Sequence, residues 1–353
     1  MKRLFAVFIS FSMLAACFSG CASNDSAGEQ SNSANVNGLS DSSDIELNEQ
    51  SVSSDTNGQS NLTESNAEIT VTFTDSLERK VSVSNPKRVA ALIGSFADMW
   101  YLAGGEIVAA PDDAWNDLDL PLPDDTLNLG KLNRLSMETL LSADPDFILA
   151  SSQVRVDVDW LETVESMGIP IAYFNVSDFD SYLEMLKICT DITGREDLYQ
   201  KNGLDIKEQV DKAVERSKKR IEEQGAPEVL SLRASASFVR AKSSKGNVLG
   251  EMLNTLGCVN IADGNSEFLE KISIEHIVER DPDYIFVVVS GDDESGAKER
   301  MEAFISDNPA WKGLTAVKEN KVFYLEKNLY NLKPNARWGE AYEKLEDILS
   351  GNV

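Results

Sequence analysis

One histidine, four cysteines and fifty-nine carboxylates are the groups from which this chain of 353 residues could build a reactive or metal-binding centre. His276 stands alone, so a Ser-His-Asp arrangement has little to work with, and a bare zinc or manganese ion lacks the several imidazoles or thiolates it ordinarily needs. No G-x-S-x-G, Walker loop, G-x-G-x-x-G or H-E-x-x-H motif occurs. The carboxylates are spread as on a solvated acidic surface, although inventory alone leaves a glycosidase-like pair open. Two of them stand out by position. Residues 135–150, LSMETLLSADPDFILA, return as 272–287, ISIEHIVERDPDYIFV, so that Ser136 and Ser273, Glu138 and Glu275, and both Asp-Pro-Asp triplets coincide.

Each copy reads as a serine N-cap, a short helix with a glutamate in its first turn, a proline stop and an apolar strand. The helix dipole alone accounts for such a glutamate, at about 0.3 to 1 kcal/mol when exposed; on the residues alone this reading and a functional one are equally open. Neither copy is a capping box, because Thr139 and His276 stand at the third helical position. A single echo half a protein apart is no solenoid and indicates two related lobes.

The elements that would position these groups follow from periodicity. Alternation on either side of residues 75–79 predicts a hairpin across 69–83, closed by Pro86. Unbroken apolar runs at 89–93, 107–110, 147–150 and 169–174 read as strands covered on both faces, with helices at 96–103, 137–142 and 160–167 between them. Residues 112–115 read as a loop. Segment 179–193 is amphipathic with Gly194 as its stop, and 196–224 is a second helix, about 40 Å long at 1.5 Å per residue. That length bridges two lobes. Beyond Pro227 the pattern resumes with strands at 229–232, 237–241 and 322–325 and helices at 247–256, 298–305 and 335–349, and the second echo repeats the helix and strand of the first, ending in Val287-Val288-Val289.

The ends differ from this body. Lys2, Arg3, the apolar run LFAVFISFSMLAA and the small residues before Cys17 form an export signal over residues 1–16. Leu14-Ala15-Ala16-Cys17 resembles a bacterial lipobox; Cys17 is the preferred lipidation site, with Cys21 as the alternative. Residues 22–68 hold nine acidic groups, no lysine or arginine and no core-forming pattern, so 17–68 reads as a lipidated cysteine followed by a disordered, self-repelling tether. The net charge of -26 divides as +2, -9 and -19 over signal, tether and body, which argues against nucleic acid as a partner. Cys189 and Cys258 read as two buried free thiols in preference to a disulfide.

Residues 69–353 resemble the solute-binding proteins of bacterial ABC importers that take ferric siderophores, haem or cobalamin. The resemblance is carried by the lipobox and tether, TFTDSLERKVSVSNPKRVAAL, the two S-x-E helices leading into DPD strands, NPAWKGLTAVKENKVFYL and LKPNARWGEAYEKLEDIL. It implies an α/β fold of two lobes, each a mainly parallel sheet flanked by helices, joined by one long rigid helix. The expected divisions are an N-terminal lobe at 69–177, connecting helices at 178–226 and a C-terminal lobe at 227–353. It further implies a monomer held on the outer face of the cell membrane by its lipid, no cofactor, no catalysis, and an iron chelate (a ferric siderophore first, with haem or a corrinoid as alternatives) delivered to a permease dimer with its ATPase. In the family one glutamate of each lobe meets permease arginines, which assigns docking to Glu138 and Glu275. Other readings are an extracellular hydrolase acting on a glycan and a surface adhesin retaining the fold.

Open α/β sheets bind ligands at their strand ends. In the first lobe this nominates Ser95, Phe96, Asp113, Trp115, Ser152 and Gln153. In the second it nominates Arg233, Phe238, Arg240, Lys242, Asp292, Tyr330, Arg337 and Trp338. Aromatic and basic side chains together suit a large, flat, partly anionic ligand. Trp338 also fits a core position on its apolar-rich helix, and Arg240 and Lys242 also fit a solvated strand face.

Overall fold

Strands with near-continuous apolar sequence need cover on both faces, and here two separate sheets receive it. The computed structural model describes residues 70–291 and 293–352; the export signal, Cys17, Cys21, the tether and Asp292 lie outside the described residues. An antiparallel hairpin comes first, β1 (Thr70–Thr74) against β2 (Lys80–Ser84), with Val81 and Val83 of β2 buried as a period of two dictates.

The first lobe contains β3 (Val89–Ala91), β4 (Ile107–Ala110), β5 (Leu127–Asn128), β6 (Phe147–Ser151) and β7 (Ile171–Phe174). All run parallel in the order β5-β4-β3-β6-β7. The second contains β8 (Glu228–Ala234), β9 (Val239–Lys242), β10 (Val259–Asn260), β11 (Tyr284–Val289) and β12 (Val322–Leu325). Here β10-β8-β11-β12 are parallel and β9 lies antiparallel on β8.

The repeated stretch occupies equivalent places in the two sheets. β6 pairs with β3, the first strand of its lobe, and β11 pairs with β8, the first strand of the other. In each Asp-Pro-Asp triplet the last aspartate caps the entry to that neighbour: Asp146 accepts from the amides of Lys87 at 2.7 Å and Arg88 at 2.9 Å, and Asp283 from that of Glu228 at 2.8 Å. The first aspartate is left-handed in both, with φ of 48° at Asp144 and 40° at Asp281, a conformation Asp tolerates because its short side chain bonds locally. The triplet therefore stops a helix and sets the register of two strands.

Helix Phe179–Thr193 starts in a capping box between Asp178 and Ser181 and stops at left-handed Gly194. The following segment runs as Glu196–Tyr199, one π turn over Gln200–Leu204, and Asp205–Gln224. The π turn has a structural use. The Tyr182 hydroxyl donates to the Asn202 carbonyl at 2.6 Å, and the Asn202 side chain donates to the Leu102 carbonyl at 2.8 Å.

Alternation along the strands separates three cores. Ala90, Leu92, Ile148 and Tyr173 pack on one face of the first sheet, and Leu230, Leu232, Ile285 and Val287 on one face of the second. The other faces, with Ala91 and Leu149 from the first lobe and Val229 and Phe286 from the second, join a single core. Phe179–Thr193, Asp205–Gln224 and the closing helix Trp338–Leu349 complete it. Inside that shared region Arg220 donates through Nε to both Glu346 oxygens at 3.2 and 3.4 Å, and through Nη2 to the Leu256 carbonyl at 3.0 Å. One apolar mass thus ties both sheets to the connecting helices.

Two expectations are corrected. Residues 112–115 are not a loop: Asp113–Asn116 closes a helical turn, too short to leave a periodic signal. The long connecting helix is interrupted by its π turn, which follows from tertiary hydrogen bonds that periodicity does not register. Cys189 and Cys258 are free and buried, as read, and burial pushes the Cys258 thiol up to about 12.

Candidate functional site

A cleft of about 600 Å³ opens between the lobes. The first lobe contributes Asp112, Asp113, Asp117 and Gln153, and the second contributes Gly291, Lys327 and Asn331.

The second lobe's sheet carries a basic face. Arg233 of β8 stands directly opposite Arg240 of β9, and Ser231 opposite Lys242, so these side chains share one face. It is the face on which Val229 enters the shared core, because residues two apart on a strand point the same way. The Arg240 guanidinium lies 4.8 Å from the Phe238 ring centroid, a cation–π distance. Lys333, two residues beyond Asn331, lies within electrostatic range of Arg233 and of Asp113. Burial lowers the pKa of Arg233. Burial, then Arg233 and Arg240, lower that of Lys242, and burial and Arg233 bring Lys333 down to about 8 against the opposing pull of Asp113. Among the described residues, none of these four cations has a side-chain hydrogen bond or ion pair.

The opposite wall carries buried acid. Gly94 opens helix Gly94–Leu102, and its amide donates to both oxygens of Asp113 at 3.2 Å. A Cβ at residue 94 would lie 2.9 Å from that carboxylate and 2.8 Å from the Ala114 nitrogen, so only glycine admits this approach. Burial outweighs the Gly94 bond, and with Asp117 and Asp112 nearby it raises Asp113 to about 6. Asp157 is completely buried beneath the cleft segment 154–156 and accepts from the Ser151 amide at 2.8 Å. Burial raises it to about 7, with Asp113 adding to the effect. Among the described residues no group of three or more His, Cys, Asp or Glu could hold a metal ion.

A family model described as periplasmic binding protein matches residues 89–329, which takes in both five-stranded sheets and all of the cleft lining but Asn331 and Leu332. The chain belongs to this family. It is a binding protein, not an enzyme. The iron-uptake system-binding protein of Bacillus subtilis (strain 168) is 25% identical over 211 residues, 60% of this chain and 62% of that protein. This binding protein therefore aligns with less than two thirds of that relative's length. Staphylococcus aureus SirA complexed with staphyloferrin B has a TM-score of 0.59 at 22% identity, over 80% of this chain and 97% of that one. S. aureus IsdE complexed with heme has a TM-score of 0.60 at 17% identity, over 74% of this chain and 98% of that one. Both likenesses are of fold. No described helix is long and apolar enough to cross a membrane.

The residues nominated from sequence divide three ways in the binding protein. Asp113 and Gln153 line the cleft, and Arg233, Phe238, Arg240 and Lys242 gather at the end of the second sheet. Ser152 is half-buried with its amide on the Phe174 carbonyl at 3.0 Å, and Trp115 is half-buried against the shared core. The others are placed elsewhere. Phe96 meets Phe174 edge-on inside the shared core, because the first turn after β3 faces the sheet. Ser95 is buried beside it, its carbonyl accepting from Asn335 Nδ2 at 2.8 Å. Trp338 packs between Phe179, Tyr182 and Tyr342, and Tyr330 is buried with its hydroxyl on the Ala341 carbonyl at 3.1 Å. Arg337 is exposed and bound by Glu340 through 2.7 and 2.8 Å hydrogen bonds. Lys327, Lys333 and Asp157 were missed. Each is defined by what faces it across the fold, and none carries a local motif.

Glu138 and Glu275 are both exposed in the first turn after their capping serines. Ser136 accepts from the Thr139 amide at 3.1 Å and Ser273 from the His276 amide at 3.3 Å. A bond from the Glu275 amide and the Ser273 hydroxyl hold the Glu275 carboxyl below its usual range. His276 is occupied structurally, with Nε2 3.1 Å from the Ile261 carbonyl and its ring 4.6 Å from that of Phe268.

Proposed function

We propose that this binding protein captures an anionic ferric chelate in the cleft between its lobes. It is the lipid-anchored, extracytoplasmic component of an ABC importer and delivers the chelate to a permease dimer driven by its ATPase. The observation that carries this reading is the set of four cations, Arg233, Arg240, Lys242 and Lys333, left without hydrogen-bonding acid partners among the described residues of a chain whose net charge is -26. Acid partners are abundant, and for Arg233, Lys242 and Lys333, which are half-buried while Arg240 is exposed, a charge without a partner is costly. A ligand bearing carboxylates or catecholates would supply the missing anions, and guanidinium forks bind such groups in bidentate fashion. The flat face of Phe238 beside Arg240 suits stacking on a chelator ring.

The lining bears on which iron carrier is taken. The residues that line the cleft include no His, Cys, Met or Tyr, the side chains that hold haem iron axially. A chelator that saturates its own iron needs none. The FeIII-binding capacity then belongs to the ligand and the protein supplies charge and shape. The cleft is also open, with Asp112, Asp113 and Asp117 on one wall and Lys327 and Asn331 on the other among apolar Leu132, Val154 and Leu332, unlike the closed, apolar-filled one expected of an adhesin.

Docking is assigned to Glu138 and Glu275. Their support is equivalence: each is an exposed carboxylate in the first turn of the repeated helix, one on each lobe. Isolated exposed ion pairs are worth about 0 to 1 kcal/mol each, so two such points serve orientation more than affinity. The anchor is assigned to Cys17, with the tether over 17–68 holding the lobes off the membrane.

The test is a titration of intrinsic fluorescence with ferric citrate, a ferric catecholate, a ferric trihydroxamate, haemin and cobalamin. Quenching by the anionic ferric chelates is expected. No response to any ferric chelate would contradict the assignment.

A further inference from the structure

Resting on the anionic-chelate reading, we infer that Asn335 is a positioning residue for chelate capture. It ties the second lobe's cleft wall, Asn331 and Leu332, to the first-lobe helix that holds Asp113, and so sets the spacing of the two walls. That wall belongs to residues 327–335, which follow β12 and are bound to the first lobe at both ends. At the start, Lys327 Nζ and Asn328 Nδ2 donate to Oδ1 and to the carbonyl of Asp117, each at 2.7 Å. At the end, Asn335 Nδ2 donates to the Ser95 carbonyl at 2.8 Å and to Asp98 Oδ2 at 2.7 Å. Only Lys333 and Pro334 separate Asn335 from the lining residue Leu332.

Both walls are therefore held by one helix. The amide of Gly94 holds the Asp113 carboxylate, and Ser95 and Asp98 of the same helix hold Asn335. Asn335 is completely buried, and its backbone is left-handed with φ of 50°, a conformation that Asn, Asp and Gly adopt more readily than other residues. Its amide nitrogen donates to the first lobe alone, while Oδ1 has no partner among the described residues. The side chain thus acts as a donor, and what it joins is the two lobes. Pro334, with φ fixed at -67°, leaves little slack between this tie and the wall, and the proline ring restricts Lys333 as well. Without the tie the wall samples other positions. A chelate must then select the competent one, and its affinity falls by the fraction of molecules in which the wall is in place.

The experiment is fluorescence titration of the full chain with ferric citrate and with a ferric catecholate, alongside hydrogen exchange of residues 331–337. Asn335→Gly keeps the backbone conformation and removes both hydrogen bonds. Its affinity for the chelate that the wild type binds falls about tenfold, as for a wall in place about a tenth of the time. Exchange in the segment is faster than in the wild type when the variant is free and equal to it when the variant is saturated. Arg220→Met, destabilised within the shared core, keeps wild-type affinity, which separates positioning from loss of stability. Asn335→Asp with Asp98→Asn reverses donor and acceptor and recovers affinity that Asn335→Asp alone loses. Wild-type affinity in Asn335→Gly, an equal loss in Arg220→Met, or no recovery in the reversed pair would overturn the inference and leave the anionic-chelate reading standing. Failure of the wild type to bind either probe would overturn both.

Discussion

Lys327 reaches across the mouth of the cleft to Asp117, donating from Nζ to Oδ1 at 2.7 Å while also donating to the Gly291 carbonyl at 3.1 Å. The contact is doubled next door, where Asn328 Nδ2 donates to the Asp117 carbonyl at 2.7 Å. Both charged side chains are largely shielded, at 11% and 22% exposure, so the pair is worth more than an ordinary surface salt bridge.

Asp117→Asn should therefore loosen the seam between the lobes. The expected loss is about 1 to 3 kcal/mol of stability, with faster hydrogen exchange in helix Lys327–Tyr330 than in β11. Urea unfolding and exchange mass spectrometry measure both. Unchanged exchange in that helix would show that the pair does not hold the seam.

Arg220 and Glu346 form the buried counterpart within the shared core, at 5% and 0% exposure. Removing one partner leaves a charge stranded in apolar surroundings. Arg220→Met should cost about 3 to 5 kcal/mol, and Arg220→Met with Glu346→Leu should recover much of it. Chemical denaturation of the two variants gives the comparison; equal destabilisation by both would mean that packing and not charge sets the cost.

Asp157 makes stability depend on pH. Its folded pKa of about 7 lies above its ordinary 3.8, so the contribution of its protonated form is fully present below pH 4 and is lost as pH rises through 7. Asp157→Asn keeps an acceptor for the Ser151 amide and removes the titration. The variant should match the wild type at pH 4 and exceed it by about 1 to 4 kcal/mol at pH 8. Parallel stability profiles for the two proteins between these values would rule this out.

Glu138→Lys combined with Glu275→Lys tests the docking assignment. Chelate affinity should stay within about twofold, since both side chains are exposed, while uptake by cells is abolished. A fall in affinity would place these glutamates in the ligand site instead.

What the sequence discloses is mainly what is periodic or capped. The Ser136 and Ser273 caps, the Asp-Pro-Asp turns, the span Phe179–Thr193 and the buried strands were all legible, because each is decided within a few residues. The basic face was legible through Arg233, Arg240 and Lys242, which lie at strand ends. Phe96 reads as a cleft residue and Trp338 as either cleft or core, because an aromatic beside a strand end and an aromatic in a core look alike in sequence; the direction of the helical turn decides between them. Lys333 and Asp157 owe their perturbed titration to burial and to groups far along the chain. No local pattern encodes that.

The central claim is that the unpaired cations of the second lobe hold an anionic ferric chelate. Its most direct measurement is the dissociation constant of ferric citrate and of a neutral ferric trihydroxamate for the wild type and for Arg233→Gln with Lys242→Gln, by fluorescence titration at fixed ionic strength. Two lost charged hydrogen bonds predict about a hundredfold or greater weakening for ferric citrate and little change for the neutral chelate. Equal affinity of both proteins for ferric citrate would contradict the account.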